Sequence, residues 1–231
     1  MPAVTVEHSA KLISVNVAMP RDVEWKGRTV STGIFKEPVD GRVTVQPLNV
    51  DGDGQADLSV HGGPSKAVYV YPAEHYTSWR DELDGMDLPW GIFGENFTTE
   101  GLLEDTVRIG DRFSIGTTTV QVTEPRVPCY KLAVRFGRVD IVRLFKQSGR
   151  TGFYLRVLEE GFVEAGDPID LLSQDPGEVT VADITRLHTE PKAENAPLIR
   201  QAISVAALGE SWREYFQHQL KKVEAESPSG S

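Results

Sequence analysis

The sequence has a single cysteine, Cys129, in 231 residues. One thiol cannot close a disulfide within the chain, and it cannot supply the four thiolates of an ordinary iron–sulfur cluster. Long apolar runs are also missing, since no stretch approaches the roughly 20 consecutive apolar residues that span a bilayer. The opening MPAVTVEHSAKLISVNVAMP lacks the basic start and unbroken apolar centre of an export signal, because Glu7 and Lys11 interrupt it. A cytoplasmic protein with a reduced thiol is expected. Basic residues are in the minority, 24 against 34 acidic ones for a net charge of -10. That balance argues against broad attraction to nucleic acid or anionic membranes. What remains is the composition of a soluble globular chain, long enough at about 150 residues per domain for one or two domains.

The charge is unevenly placed. From Asp81 to Arg112 nine carboxylates face two arginines, a local net of -7. From Gln121 to Leu158 eight basic residues face only Glu124 and Asp140, a net of +6, and Cys129 lies inside this stretch. Such runs are often solvated faces, but this one also holds the only thiol.

Two textures follow one another along the chain. Short β-rich runs (Leu12 to Val17, Arg42 to Val45, Ala67 to Tyr71, Thr117 to Thr123, Phe153 to Leu158 and Ile169 to Leu172) alternate with Gly, Pro and Asp turns. Helical patterns intervene at Pro72 to Leu83 and Tyr130 to Gln147. This spacing favours a barrel or sandwich with inserted helices over regular βαβ repeats. After Pro176-Gly177 three short helices are expected. Thr180 with Asp183 caps the first, which runs to about His188; Asn195 to about Ala206 forms the second. The third lies near Ala207 to Val223, with Ser211 and Glu214 as a capping box. Three helices could form a helix-turn-helix, but six basic against nine acidic residues after Ser173 suit a packing or dimerisation appendage better than a DNA reader. Residues 224–231 are expected to be a disordered tail.

Several motifs could carry chemistry. Asp51-Gly52-Asp53-Gly54-Gln55-Ala56-Asp57 starts like a calcium loop, but Ala56 and Gly62 stand where an EF-hand needs Gly and a bidentate Glu, so a tight turn is expected. His61-Gly62-Gly63-Pro64-Ser65-Lys66 precedes a strand and is either an anion-binding turn with a lysine or a plain glycine turn. Gly94-Glu95-Asn96 offers an acceptor and an amide in a loop. Cys129, between Arg126 and Lys131 at an expected helix start, has flanks that favour a thiolate, hence a nucleophile or soft metal ligand; the alternative is a small buried hydrophobe. Ser148-Gly149-Arg150-Thr151-Gly152 could cradle a phosphate or simply turn from helix to strand.

The ordered set His61-Gly62-Gly63 with Lys66-Ala67-Val68, Gly94-Glu95-Asn96, Pro125-Arg126 with Pro128-Cys129-Tyr130-Lys131, and Ser148 to Tyr154 closely resembles the MOSC-domain family. These proteins are similar to the C-terminal domain of molybdenum-cofactor sulfurase. The resemblance covers most of residues 10 to 172. The stretch 178 to 222 resembles the three-helix extension of a bacterial branch associated with resistance to 6-N-hydroxylaminopurine. The resemblance implies an α+β, mainly β fold: a MOSC-type β-barrel with inserted helices at 10–172 and a small C-terminal three-helix domain at 178–222. It implies the molybdenum cofactor, Mo-molybdopterin, with Cys129 as metal ligand and catalytic residue; pyridoxal phosphate is not expected. Arg126, Lys131, Arg138 and the loop of Ser148, Gly149, Arg150, Thr151 and Gly152 would hold the anionic cofactor. Lys66 and Asn96 are candidates for phosphate or pterin contacts, His61 either for such a contact or for fixing its turn, and Glu95 for delivering protons.

The implied reaction reduces N-hydroxylated bases, amidoximes or related compounds to amines. With one cysteine the chain cannot carry its own ferredoxin cluster, so electrons would come from a separate reductase. A cofactor carrier or sulfur-handling protein without turnover remains an alternative, as does a thiol hydrolase pairing Cys129 with His61. A homodimer is a further expectation.

Overall fold

The computed structural model describes residues 10–55, 62–190 and 192–226. Strands β1 (Ala10–Val17), β2 (Arg21–Trp25), β3 (Arg28–Thr32), β4 (Glu37–Pro38) and β5 (Val43–Val45) come first. They lead to β6 (Val68–Pro72), helix α1 (Glu74–Glu82), β7 (Phe97–Glu100), β8 (Arg112–Ile115) and β9 (Thr118–Pro125). Helices α2 (Tyr130–Phe136) and α3 (Ile141–Ser148) precede β10 (Phe153–Glu159), β11 (Gly161–Val163) and β12 (Pro168–Ser173). Three more helices follow, α4 (Val181–Thr189), α5 (Ala196–Ser204) and α6 (Glu210–Glu226).

Seven of the strands close a mixed barrel in the order β12-β8-β9-β10-β6-β7-β1, sealed where β1 meets β12 with Ala10 opposite Ile169. Its neighbours are antiparallel except β6 and β7, which run parallel with Val70 opposite Phe97. Alternation along the strands divides two cores. Val68 and Val70 of β6, with Phe97, Val122, Phe153 and Leu155, fill the barrel. Tyr69 and Tyr71 point the other way, into an aromatic layer with Tyr76, Trp79, Phe93 and Phe145 under α1 to α3. The barrel core runs on without a break into the helical extension through Val181, Ile184, Leu187, Ile199 and Phe216. Backbone bonds reinforce that join: the Ile109 N–H donates to Val179 O at 2.8 Å and the Val181 N–H to Val107 O at 3.0 Å.

The expected strands all form, and the barrel followed by a small helical unit is the architecture the sequence suggested. Four readings need correction. Residues 130–147 are two helices, because Gly137 adopts a left-handed φ of 65° and closes α2. The hairpin β2–β3 was not anticipated; its turn, Lys26 and Gly27 at φ of 51° and 73°, carries a weaker signal than Asn-Gly would. The acidic stretch is a solvated face only in part: Asp81, Glu82, Asp84, Asp87, Glu100 and Asp105 are exposed, while Glu95, Glu104 and Asp111 are buried and hydrogen-bonded. Helix α6 starts at Glu210 and continues through Glu226, so Ser211 lies inside its first turn rather than capping it, and 224–226 are helical rather than tail. Residues 227–231 lie outside the described residues, as does His61.

Helix α4 has the expected capping box, with the Thr180 side chain accepting from the Asp183 N–H at 3.0 Å while Asp183 accepts from the Thr180 N–H at 3.1 Å. Thr180→Ala is expected to cost about 1 kcal/mol in urea unfolding. Unchanged stability would show that the core contacts alone hold this helix.

Candidate functional site

The outward tyrosines of β6 and β10 floor a cavity on the outside of the barrel. Tyr69 and Tyr154 form its base, and the segments after β3, around Asp53 and around Gly94 form one side. The other side is the link from β9 to α2, which carries Arg126, Cys129 and Lys131. Lys66 completes the rim. Two glycines let these loops approach: a Cβ at Gly33 would sit 2.3 Å from the Gly54 carbonyl oxygen, and one at Gly94, where φ is 83°, 2.8 Å from Ile34 Cγ1.

Among the described residues the lining holds four cations, Lys36, Lys66, Arg126 and Lys131, against one carboxylate, Asp53. They are not equivalent. Lys36 is buried in an ion pair with Asp53, and burial pulls its ammonium below the ordinary lysine value against the pull of that carboxylate. Lys66 pairs with Glu124 at 3.2 Å, and burial raises the Glu124 carboxyl, which also accepts a hydrogen bond from Trp212 of α6. Arg126 is 7% exposed, lies over the Tyr69 ring at 4.8 Å and bonds to the Tyr154 hydroxyl. Its Nη1 is buried with no hydrogen-bond partner. Among the described residues no carboxylate pairs with Arg126 or Lys131. A buried guanidinium with an unmet donor is costly unless something anionic arrives to meet it.

Cys129 is half-buried in extended backbone at the start of α2. Among the described residues no group of three or more His, Cys, Asp or Glu side chains could cage a metal ion. A metal on this thiol would have to bring its other donors with it, which is what a soft metal on an organic dithiolene does. The cationic lining and the lone thiol therefore fit an anionic, metal-bearing cofactor.

The structure thus brings Lys66, Asn96, Arg126, Cys129 and Lys131 together. Asn96 lines the wall, but its side chain is already committed: Nδ2 donates to Asp53 Oδ2 at 2.9 Å, and Oδ1 accepts from the Tyr69 N–H at 3.1 Å. The other expected residues that the structure describes do not line the cavity. Glu95 is fully buried behind the wall, accepting from the Tyr76 hydroxyl, the Gly91 N–H and Thr98 Oγ1, and it does not reach the cavity as a proton donor. Arg138 forks onto Asp140 at 3.1 and 2.7 Å in the turn between α2 and α3. The 148 to 152 loop is a structural turn. Ser148 Oγ donates to Phe145 O, Arg150 pairs with Glu82 over the Trp79 ring, and the Thr151 carbonyl accepts from the Tyr69 hydroxyl. Gly149 ends α3 at φ 69°, and the Gly152 N–H is taken by Glu104 Oε1 at 2.7 Å. A Cβ on Gly152 would meet Val70 O at 2.2 Å, so strand packing accounts for that glycine.

Sequence reasoning missed Lys36, Asp53, Tyr69, Glu124 and Tyr154. Asp53 was visible only as a turn residue and Glu124 only as an acid in a basic run. The tyrosines carried a signal, the alternation of β6 and β10, that names a face but not its use.

The sequence matches the MOSC domain over residues 57–170 and the YiiM-like 3-alpha helix domain over 179–223. The chain belongs to the MOSC-domain family, with the YiiM-like helical extension. It is 45% identical to YflK of Bacillus subtilis over 212 residues, covering 92% of this chain and 95% of that one. A Gibberella moniliformis protein named Reductase is 35% identical over 166 residues, which cover 70% of this chain and 29% of that longer protein. The crystal structure of YiiM from Geobacillus stearothermophilus superposes with a TM-score of 0.77 at 37% identity, covering 91% of this chain and 99% of that one.

Two predictions test the walls. Lys36→Met leaves Asp53 as an unpaired buried charge and is expected to lose about 3 to 5 kcal/mol of stability in urea unfolding. A loss below about 1 kcal/mol would show that Ala18 and Asn96 suffice to satisfy that carboxylate. Burial raises the Glu95 carboxyl above its ordinary value, so ionised Glu95 opposes folding at neutral pH and the opposition fades as pH falls through the raised value. Glu95→Gln should therefore compare more favourably with the wild type at about pH 7 than at about pH 5. A gap that moves the opposite way would mean that the fold requires the carboxylate.

Proposed function

We propose that this protein is a molybdenum-cofactor-dependent oxidoreductase that reduces N-hydroxylated compounds to amines with electrons from a separate reductase. The observation that carries the reading is Arg126, a buried guanidinium without a carboxylate partner and with Nη1 unmet, on the same cavity as the chain's one thiol. Membership of the MOSC family supports the cofactor, and the fungal relative named Reductase supports the reaction class.

Arg126 and Lys131 would hold the anionic cofactor, Lys36 and Lys66 being offset by Asp53 and Glu124, and Cys129 would supply a thiolate to the metal. When bound, the cofactor supplies the two-electron redox change. Overall, R–NHOH with two electrons and two protons gives R–NH2 and water. Tyr154 stands on the floor beside Cys129, and burial raises its phenol above the ordinary value, so Oη keeps its proton at neutral pH and can donate it. Purine derivatives such as 6-N-hydroxylaminopurine, and amidoximes, are the substrate class proposed.

Protein expressed in a molybdenum-competent host should carry molybdenum and reduce 6-N-hydroxylaminopurine with a chemical electron donor. Cys129→Ser is expected to abolish turnover and cut molybdenum content at least tenfold, and Arg126→Ala to lower retention. Unchanged metal content in Cys129→Ser would sink the ligand assignment. Bound metal without turnover would identify a cofactor carrier.

A further inference from the structure

Cys129 borders two hollows. Lys66, Val127, Cys129 and Tyr154 line the basic cavity and also a second groove, which runs from the thiol between the barrel and the helical extension. The far wall of that groove is aromatic: His188 from α4, with Trp212 and Tyr215 from α6 and Ser211 at its rim. The three rings stand edge to face, His188 against Trp212 at 5.1 Å and 77° and against Tyr215 at 5.1 Å and 64°. Trp212 and Tyr215 meet at 6.0 Å and 85°. Each ring blocks rotation of the next, so the wall is preformed.

The polar groups on this groove differ from those in the basic cavity. Glu124 is 3% exposed and shared between Lys66 of the barrel and the Trp212 indole of the extension. Gly209 permits that contact, since a Cβ there would lie 2.4 Å from Glu124 Oε2. His188 has its Nδ1 buried with no hydrogen-bond partner, and burial, followed by the charge of Lys146, keeps its ring below the ordinary histidine value. Among the described residues on its lining Lys66 is the one lysine or arginine, and it is paired with Glu124. The groove therefore offers aromatic rings from His188, Trp212 and Tyr215 and a hydroxyl at the rim. Such a surface recognises an uncharged planar ring with nitrogen donors and acceptors on its edge, and it gives an anion little reason to enter.

We propose that this groove is the substrate subsite: a neutral, planar nitrogen heterocycle of purine size binds against His188, Trp212 and Tyr215, with one edge directed toward Cys129. The inference rests on the reductase reading for the meaning of "substrate", but the binding itself does not need the metal. It gives the three-helix extension a specificity-determining role. The barrel supplies the thiol and the cationic cavity, and the helices supply the wall that selects the ring. The two ligands would then approach Cys129 from opposite sides, each through a surface of matching character.

Adenine, which has the ring but no N–OH group to reduce, is the probe. Calorimetric titration of the full chain should detect its binding, and Tyr215→Ala should weaken it at least tenfold. Ser211→Trp, a substitution at an exposed position that fills the groove from its rim, should do the same with the thermal melting profile intact. Undetectable binding at millimolar adenine would overturn the proposal, as would affinity indifferent to both Tyr215→Ala and Ser211→Trp. Loss of binding on Arg126→Ala alone would place the ring in the basic cavity and also overturn it. Molybdenum content of the same preparations separates the two readings. Adenine held through Tyr215 in protein that takes up no molybdenum would sink the cofactor and keep the groove; molybdenum held by protein whose adenine affinity ignores Tyr215 would do the reverse.

Discussion

The site depends on one buried carboxylate. Asp53 accepts the Ala18 N–H at 2.9 Å and the Lys36 ammonium on Oδ1, and the Asn96 amide at 2.9 Å on Oδ2. Those partners belong to the loop after β1, the segment after β3 and the start of β7, stretches that are distant in sequence. Asn96 passes the restraint on, because its Oδ1 receives the Tyr69 N–H and its backbone carbonyl the Asn16 N–H. A charge this deep tolerates little displacement, since each lost bond leaves part of the desolvation cost unmet. The cavity therefore has one rigid wall, and the cations opposite it are placed against a fixed reference.

The link from β9 to α2 is held differently. The Arg126 N–H donates to Gly152 O at 3.0 Å, which extends the β9–β10 pairing up to the residue whose guanidinium enters the cavity. The guanidinium itself is held by rings and a phenol rather than by an acid. An acid at that point would stabilise the fold and cancel the field. Its absence among the described residues is the kind of local cost that proteins carry at functional sites.

Much of this was legible in the residues. Turn punctuation and alternation located the barrel strands β1, β6, β9, β10 and β12 but not β7 and β8, Thr180 and Asp183 announced α4, and Cys129 between Arg126 and Lys131 marked the heart of the cavity. Other features could not be read from local order. Lys36 and Asp53 form a pair only because the barrel brings two loops together, and nothing near either residue signals the other. The Ser148 to Gly152 loop looks like a phosphate cradle because glycines at positive φ serve anion sites and tight strand entries alike. Glu104, 48 residues before Gly152, settles the matter by taking its N–H. Glu95 shows the same limit: a carboxylate beside a cavity-lining asparagine faces the opposite way.

The seal between β1 and β12 joins residues 10 and 169, so the barrel cannot close until the chain has grown past residue 169. Until β12 has been synthesised, β1 has a free edge and the sheet stays open. The Asp53 carboxylate and the Cys129 thiol are made well before that moment, yet they acquire fixed positions only when the sheet curls shut. Loading of any large ligand into the cavity therefore follows closure of the barrel.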